Sequence, residues 1–600
     1  MPVTPPPSPS AEANLGAALA LLKALIRHGL KRLVLCPGSR SAPLAVAAGL
    51  LRPHGLDLLT AIDERSAAFL ALGLGRADGV PTAVVTTSGS AVANLLPAVV
   101  EADHGAVPLL LLTADRPARL KGCGANQTVN QEQFLAASTR LQLQADPAGL
   151  ASMPAAAIDQ LAAAAWSASL ADPLGPVHLN IPLEEPLHAS AAAIARLLAA
   201  LPAAGGMAPA SGIPNPGPAQ MSPAPFTPEL LDPDQPGVVV AGPWRRSPAE
   251  LQPYAAALIR WQRRSGWPVL ADPLSGLRGW PGLELIHGYD LLLEDPIPLP
   301  APAQVLRLGP MPSSRRLQQW LAGLMVPQLL LSEGDPRNLD AIAKASARLS
   351  VGLDRWVQSA GQQLVGAGGP SASSQALAQA WASAERRLQR QLDGCLPVTG
   401  PANEPGLSRA LSRLLPQGIP LLLANSSPVR DWDSFAAPEA PWRSIFGFRG
   451  ASGIDGTLSL AAGLARSCGQ LVLLSGDLAL LHDSNGWLWQ RQLRDLGIRL
   501  TVVVVENGGG GIFEQLPIRA DAAMDFEHLF AMPQSLDHCA LAAVHGVPSR
   551  SLRQLEALPE ALAWALEQPW ALLEVRCDRQ ADAERRQTLR RRMAAASQEV

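Results

Sequence analysis

The chain has 600 residues, and at about 100–200 residues per domain this length predicts three or four compact units and excludes a single small binding module. Its 48 lysines and arginines nearly balance 51 aspartates and glutamates, which excludes the long-range positive field that favours nucleic acid or an anionic membrane as partner. Hydrophobic residues make up 48% and charged residues 16%, a composition typical of a folded protein with large cores.

The cysteine pattern and the N-terminus bear on the compartment. The six cysteines are scattered, without a CxxC pair or the spacing of a zinc site or a disulfide framework, which favours a reducing compartment. The opening MPVTPPPSPS lacks the basic patch and the apolar stretch of a signal peptide. We therefore predict a cytoplasmic protein in which residues 1–10 form a disordered tail.

Residues 11–200 alternate short apolar runs with helical patterns and form the first predicted domain. The runs are RLVLCPG, LDLLTAID, TAVVTTSG, PLLLLTADRP and PVHLNIP. Continuous apolar strands separated by helices predict a parallel sheet that is covered on both faces. Residues 201–236 contain ten prolines and four glycines, which excludes helix and central strand and predicts a linker.

Two further sets of the same kind follow. Residues 237–360 contain GVVVAGP, WPVLADP, QVLRLGP and PQLLLSEGD, and residues 376–580 contain IPLLLANS, GQLVLLSGD, RLTVVVVENG and WALLEVRCD. The predicted fold class is α/β, with three parallel-sheet domains whose ligand sites lie at the C-terminal ends of the strands. Residues 581–600 are predicted to form a basic C-terminal helix in which RRQTLRRRM is a solvated face.

The strongest chemical pattern joins two neighbouring strands of the third domain. Asp477 follows LVLLSG, and Asn507 ends the next apolar run, RLTVVVVEN. A right-handed crossover brings such strand ends together, and a carboxylate, an amide oxygen and a glycine-rich backbone are suitable ligands for Mg²⁺ beside phosphate. This combination is the pattern with which thiamine-diphosphate enzymes hold the magnesium diphosphate. The alternative is that Asp477 only caps a helix and the glycines only form a turn.

A second candidate lies in the first domain, where Glu64 ends a strand and enters a helix with an apolar face. A glutamate at this position is often a solvated residue favoured by the helix dipole. Thiamine enzymes, however, need one buried glutamate that hydrogen-bonds the pyrimidine ring of the cofactor. We predict this role for Glu64.

Seven segments together resemble the MenD family of thiamine-diphosphate enzymes, the 2-succinyl-5-enolpyruvyl-6-hydroxy-3-cyclohexene-1-carboxylate synthases. They are CPGSRSAPLA (36–45), DERSAAFLALGLGRA (63–77), TSGSAVANLLPAVVEA (87–102), LTADRPARLKGCGANQ (112–127), RGASGIDGTLS (449–459), GDLALLHDSNG (476–486) and ENGGGGIFEQLP (506–517). The resemblance implies decarboxylation of 2-oxoglutarate on thiamine diphosphate, then 1,4-addition of the resulting four-carbon carbanion equivalent to isochorismate, on a path to menaquinone or phylloquinone.

The resemblance also implies the site residues. The catalytic residue is Glu64. Mg²⁺, or Mn²⁺ as the other candidate ion, is held by Asp477, Asn507 and the Gly509 carbonyl. The cofactor is contacted by Glu64, Ser88, Gly89, Ile454, Gly476, Asp477, Asn507, Ile512 and Phe513. The substrates are contacted by Ser39, Arg40, Arg116, Asn126, Gln127, Arg315, Ser426, Arg430, Arg449, Phe513 and Leu516. Arg315 stands where the family often has lysine, and the alignment leaves Arg316 open as the alternative.

The family fold implies a homodimer or a dimer of dimers, because the glutamate-bearing domain of one chain faces the metal-binding domain of another. A carboligase acting on pyruvate is the alternative enzyme, but pyruvate offers one carboxylate to a cluster of arginines. A non-enzymatic scaffold is the third hypothesis, and it would be expected to lose Glu64, Asp477 or Asn507. The sequence does not divide the arginines between the two substrates, and it leaves feedback by a downstream naphthoate open.

Overall fold

The computed structural model describes residues 10–201, 230–294, 299–360, 368–520 and 523–595. Most of the predicted tail and linker therefore lies outside the described residues. Two compact units are present: an N-terminal unit of residues up to 219 with 449–467, and a C-terminal unit of residues 220–448 with those from 468 onward. Within the described ranges, no helix has the length and apolar character needed to cross a membrane.

The strands of the described residues form three six-stranded sheets, one in the N-terminal unit and two in the C-terminal unit. They are β1 Arg32–Leu35, β2 Asp57–Thr60, β3 Thr82–Thr86, β4 Leu109–Asp115, β5 Leu141–Gln144, β6 Pro176–Pro182, β7 Gly237–Ala241, β8 Val269–Ala271, β9 Leu285–Ile286, β10 Gln304–Leu308, β11 Gln328–Leu331, β12 Ala347–Leu349, β13 Leu421–Leu423, β14 Ile445–Phe446, β15 Gln470–Gly476, β16 Arg499–Glu506, β17 Ser549–Leu552 and β18 Trp570–Arg576.

All pairings between these strands are parallel. The strand orders are β2-β1-β3-β4-β6-β5, β12-β11-β10-β7-β8-β9 and β14-β13-β15-β16-β18-β17. In each sheet the strand order runs in opposite directions on the two sides of the strand that comes first in the chain, which is β1, β7 or β13. This reversal leaves a crevice at the C-terminal ends of two neighbouring strands. The predicted fold class, three parallel α/β sheets, is confirmed.

Helices connect the strands and cover the sheets. They are α1 Ala11–His28, α2 Ala42–Leu51, α3 Glu64–Asp78, α4 Ser90–Ala93, α5 Leu96–Gly105, α6 Ala155–Leu170, α7 Ala191–Ala199, α8 Leu251–Ser265, α9 Tyr289–Leu292, α10 Arg315–Gly323, α11 Leu353–Ser359, α12 Ala372–Cys395, α13 Glu404–Leu414, α14 Ser427–Phe435, α15 Thr457–Cys468, α16 Asp477–His482, α17 Trp489–Asp495, α18 His538–Val544, α19 Leu558–Glu567 and α20 Arg579–Ala595.

The C-terminal helix α20 is part of the fold and not a solvated appendage. Leu589 and Met593 are buried in the apolar cluster that covers one face of the central sheet, together with Leu388 of α12. Arg586 is also buried, at 5% exposure. The prediction of a solvated face for RRQTLRRRM holds for Gln587, Thr588, Arg591 and Arg592, which are exposed, and was wrong for the opposite face. Arg586, Leu589 and Met593 follow one another at helical spacing and share one face, and the surrounding arginines hid that pattern.

Helix α15 packs against α3 in the N-terminal unit through a close glycine contact. A Cβ atom on Gly73 would lie 2.4 Å from the carbonyl oxygen of Leu460, and one on Gly463 would lie 2.1 Å from the carbonyl oxygen of Leu70. The hydroxyls of Ser66 and Ser459 are 2.7 Å apart across the same contact. The two backbones approach so closely that each crossing position accepts only glycine, and this contact places residues 449–467 beside the helix that begins with Glu64.

Substitution Gly463→Ala is expected to lower the free energy of unfolding by about 1–3 kcal/mol, because the added methyl group meets backbone that cannot move aside. Differential scanning calorimetry of the variant measures the effect as a lower transition temperature. Gly49→Ala is the matched control, since Gly49 lies in α2, where an added Cβ atom would meet nothing within 4 Å among the described residues beyond its chain neighbours and its own helix backbone. Alanine also favours helix there. Equal shifts in both variants would contradict the close crossing.

Candidate active site

The pairing of β15 with β16 brings the predicted metal ligands to one edge of the third sheet. Gly476 lies opposite Val505 in the register, so Asp477 and Asn507 follow strands that end side by side. The Gly509 amide donates a hydrogen bond to Oδ2 of Asp477 at 2.8 Å. The structure thus places the carboxylate and the glycine loop in direct contact.

Asp477 is a buried carboxylate that accepts hydrogen bonds from backbone amides and also lies near the negative charge of Glu506. Its Oδ1 accepts a hydrogen bond from the Leu478 amide at 2.7 Å, at the start of α16. Burial, and second the negative charge of Glu506, raise the pKa of Asp477 to about 6. Glu506 itself pairs with His538, Oε2 to Nε2 at 3.2 Å. The hydrogen bonds hold the side chain in one orientation at the strand end.

The side-chain amide of Asn507 has a hydrogen-bond partner within the described residues at its nitrogen and none at its oxygen. Its Nδ2 donates a hydrogen bond to Oε1 of Glu404 at 2.6 Å, whereas its Oδ1 is buried without a hydrogen-bond partner among the described residues. A buried amide oxygen without a donor is unusual, since such groups are normally paired. A bound cation would satisfy this oxygen, so the residues present fit a hard divalent metal ion.

The loop after Asn507 requires glycine where it passes the neighbouring chain segment. Gly509 has a φ of 112°, and a Cβ atom there would lie 2.0 Å from the Ala531 carbonyl oxygen. The Gly509 carbonyl accepts a hydrogen bond from the Gly511 amide at 2.7 Å. A carbonyl oxygen has two lone pairs, so this bond leaves capacity for a metal contact.

The apolar residues of the C-terminal unit that are predicted around the cofactor and the substrates are accessible. Phe513 is 36% exposed and Leu516 is 42% exposed, and Ile512 is half-buried. The Phe513 ring meets the Phe530 ring edge to face, with centroids 5.8 Å apart. This segment therefore presents apolar surface next to the glycine loop.

Two predicted substrate residues lie after β13, at the reversal of strand order. Ser426 has a φ of 74° and precedes α14, a backbone conformation that costs a residue other than glycine about 1–3 kcal/mol. Its carbonyl oxygen accepts a hydrogen bond from Nη1 of the exposed Arg430 at 2.7 Å. Strain of this kind is concentrated at ligand sites.

The position predicted to replace the family lysine lies at the start of α10. Arg315 is exposed. Arg316, the alternative, pairs with Asp290 at 2.7 Å and with Glu294 at 2.9 Å. Arg316 therefore has a structural role in the C-terminal unit.

Glu64 is the first residue of α3, whose cap is Asp63. Its Oε2 accepts a hydrogen bond from Nδ2 of Asn94 at 3.5 Å. The side chain is only partly buried in this chain, which differs from the buried glutamate that the sequence predicts. The reason is that the buried stretch of α3 begins two residues later, at Ser66.

The loops after β3 and β4 are joined by hydrogen bonds in the N-terminal unit. Arg116 donates to Oγ of Ser88 and to the Gln127 carbonyl, the latter at 3.1 Å. Gln127 returns a bond from Nε2 to the Ser88 carbonyl at 2.9 Å, and Gln131 accepts from the Gly89 amide at 2.9 Å. Sequence reasoning missed Gln131, which is fully buried and lies four residues after the CGANQ motif.

Arg40 and Arg116 form a buried cationic pair at the edge of the first sheet, with 7% and 8% exposure. Burial, and second the positive charge of Arg40, lower the pKa of Arg116. Arg40 donates to the Leu183 carbonyl at 2.9 Å and pairs with the exposed Glu185 at 3.0 Å. Buried guanidinium groups favour a carboxylate ligand. Ser39 is exposed on the loop after β1, which also carries Arg40, and Asn126 is exposed on the loop after β4, which also carries Arg116.

Glu101 is a second residue that sequence reasoning missed, although it lies inside a family motif. The buried carboxylate accepts hydrogen bonds from the amides of Gly450 at 2.7 Å, Ala451 at 2.7 Å and Ser452 at 3.1 Å. It thereby holds the turn that follows Arg449 and precedes Ile454. A buried glutamate on an apolar helix, as in AVVEA, is the signal that would have identified it.

Comparisons with known proteins agree with this geometry. Residues 16–134 match the family model described as thiamine pyrophosphate enzyme, N-terminal TPP binding domain, and residues 233–423 match the model for the middle domain of thiamine pyrophosphate enzymes. The chain is 55% identical to a 2-succinyl-5-enolpyruvyl-6-hydroxy-3-cyclohexene-1-carboxylate synthase of Synechococcus sp. (strain RCC307) over 97% of both chains. A protein of the same name from Parasynechococcus marenigrum (strain WH8102) is 52% identical, over 93% of this chain and 98% of its own length. Another from Prochlorococcus marinus (strain MIT 9313) is 48% identical, over 94% of this chain and 97% of its own length.

Substitution Glu101→Gln is expected to loosen the turn at 450–452, because a neutral amide replaces a charged acceptor of three backbone bonds. Hydrogen bonds to a charged group are worth about 1.5–3 kcal/mol, so hydrogen exchange at these amides should accelerate about tenfold or more. Exchange at the β4 amides in the same sample serves as the internal control. Unchanged protection of residues 450–452 would refute the role of Glu101.

Proposed function

The chain belongs to the family of 2-succinyl-5-enolpyruvyl-6-hydroxy-3-cyclohexene-1-carboxylate synthases, which are thiamine-diphosphate-dependent enzymes, and on that premise we propose that it joins 2-oxoglutarate to isochorismate. The products would be CO₂ and the carboxylate that the family name describes, in menaquinone or phylloquinone biosynthesis in the cytoplasm. The observation that carries the proposal is 55% identity over 97% of both chains, a range that includes every candidate site residue.

The C-terminal unit would hold the metal and the diphosphate. Asp477, Asn507 and the Gly509 carbonyl would bind Mg²⁺, with Mn²⁺ as the alternative ion. The Oδ1 of Asn507, which is buried without a partner among the residues that the structure describes, supports this role. Bound thiamine diphosphate supplies the nucleophilic carbon on which a 2-oxo acid loses CO₂. Ile512 and Phe513 provide the apolar surface beside the loop.

Glu64 would act on the pyrimidine ring. Its carboxyl oxygen would hydrogen-bond a ring nitrogen and exchange a proton there. Asp63 caps the helix by accepting bonds from the amides of Arg65 and Ser66 at 2.9 and 3.2 Å. The cap fixes the first turn of α3, and with it the direction in which the Glu64 side chain leaves the helix.

The arginines would bind the substrate carboxylates. Both 2-oxoglutarate and isochorismate are dicarboxylates, and guanidinium groups pair with carboxylates through two parallel hydrogen bonds. The buried pair Arg40 and Arg116 supports such a site in the N-terminal unit, and Arg430 and Arg315 are exposed on the C-terminal unit. Pyruvate, with one carboxylate, would leave part of this charge unpaired.

We further propose that the working form is a homodimer or a dimer of dimers. A second chain would cover Glu64, which is partly exposed in one chain, and the exposed Phe513 and Leu516. Burial at such an interface would exclude water from the reacting groups. A monomer that binds cofactor at micromolar concentration would contradict this assembly.

The decisive assay incubates the protein with 2-oxoglutarate, isochorismate, thiamine diphosphate and Mg²⁺, and follows isochorismate loss and the product mass. We expect turnover only with 2-oxoglutarate as donor, because its second carboxylate matches the arginine sites. Pyruvate in place of 2-oxoglutarate is the control. Turnover with pyruvate alone would reject the proposed donor and favour the other carboligase.

Substitution Glu64→Gln is expected to reduce turnover by about 10²–10⁴-fold, the usual contribution of a general acid or base, while calorimetry still detects cofactor binding. Glu12→Gln is the control, since Glu12 pairs with Arg196 on the surface of the same unit. Full activity of Glu64→Gln would refute the assigned role.

A further inference from the structure

We propose that Glu404 and Arg586 are positioning residues that decide which end of the Asn507 amide faces the metal. This inference rests on the magnesium site proposed above and adds two residues that lie 103 and 79 positions away from Asn507 in the chain. It also gives a function to the C-terminal helix α20, which carries Arg586.

The two ends of an asparagine amide have nearly the same shape, so hydrogen-bond partners decide their placement. Glu404 is the first residue of α13 and is 4% exposed. Its carboxylate, when ionised, only accepts hydrogen bonds, and its Oε1 lies 2.6 Å from Nδ2 of Asn507. The amide nitrogen is therefore held toward Glu404, and Oδ1 is turned to the other side, where it has no protein donor among the described residues.

Arg586 holds the Glu404 carboxylate in place. Its Nη2 lies 2.8 Å from Oε2 of Glu404 and 2.7 Å from Oδ2 of Asp431. The Glu404 amide also donates to Oδ2 of Asp582, one helical turn before Arg586, at 3.0 Å. The ion pair fixes Oε2 of Glu404, so that Oε1 stays directed at Nδ2 of Asn507.

A stability measurement cannot separate a positioning role of Glu404 and Arg586 from a purely structural one, because breaking their buried ion pair destabilises the protein in both cases. The distinguishing feature is direction: Glu404 accepts and Asn507 donates. Reversal of both partners, in Glu404→Gln with Asn507→Asp, would let the new glutamine donate to the new aspartate. One aspartate oxygen would then stay available for the metal, as Oδ1 of Asn507 does now.

The experiment measures the Mg²⁺ dissociation constant by calorimetry on the full chain with saturating thiamine diphosphate, and the electron paramagnetic resonance spectrum of bound Mn²⁺. Glu404→Gln should weaken Mg²⁺ binding about 10–100-fold, as substitutions of residues that orient metal ligands usually do. Asn507→Asp alone should also weaken it, since two carboxylates then face each other. The double variant should recover most of the affinity and the parent Mn²⁺ spectrum.

Asp433→Asn is the matched control, because Asp433 is a buried carboxylate, 3% exposed, that pairs with Arg278 at 2.5 Å. It should lower the unfolding temperature and leave Mg²⁺ affinity unchanged. Parent-like affinity in Glu404→Gln, an equal loss in Asp433→Asn, or no recovery in the double variant would overturn the inference. Should Glu404→Gln fail to fold, Asn507→Asp and the double variant carry the comparison. Cofactor binding by the parent chain that is unaffected by metal removal would instead reject the magnesium site itself.

Discussion

The parallel pairing of neighbouring strands is the constraint on which the candidate site depends. Since β15 and β16 run in the same direction and in register from Gln470 to Gly476, the residues that follow them emerge at one edge. Asp477 and the loop after Asn507 meet there for that reason, although thirty residues separate the two side chains in the chain. The same constraint in the first sheet joins Ser88, after β3, to Arg116, after β4.

Buried carboxylates organise the loops at these edges. Glu101 accepts hydrogen bonds from three backbone amides of the turn after Arg449. Glu404 binds Asn507 with one carboxylate oxygen and Arg586 with the other. A buried charge is tolerated only when several donors meet it. Each of these carboxylates therefore requires a fixed set of partners, and that requirement holds the loop in one conformation.

The sequence identified the interior strands of all three sheets and missed most of the edge strands. Interior strands such as β4 and β16 are covered on both faces and appear as continuous apolar runs. The missed strands are the edge strands β5, β9, β12, β14 and β17, which are all two to four residues long and partly exposed. Their pairing depends on a neighbour that is already in place, which no local pattern contains.

By itself the sequence determined the α/β class, the strand ends that carry Glu64, Asp477 and Asn507, and the resemblance to one enzyme family, because these follow from local periodicity and short motifs. Only the tertiary structure decided that residues 449–467 pack with the N-terminal unit, that Arg586 is buried, and which end of the Asn507 amide has no partner within the described part of the chain. The physical reason is that each of these depends on a partner from a distant part of the chain, whose position exists only after the sheets have formed.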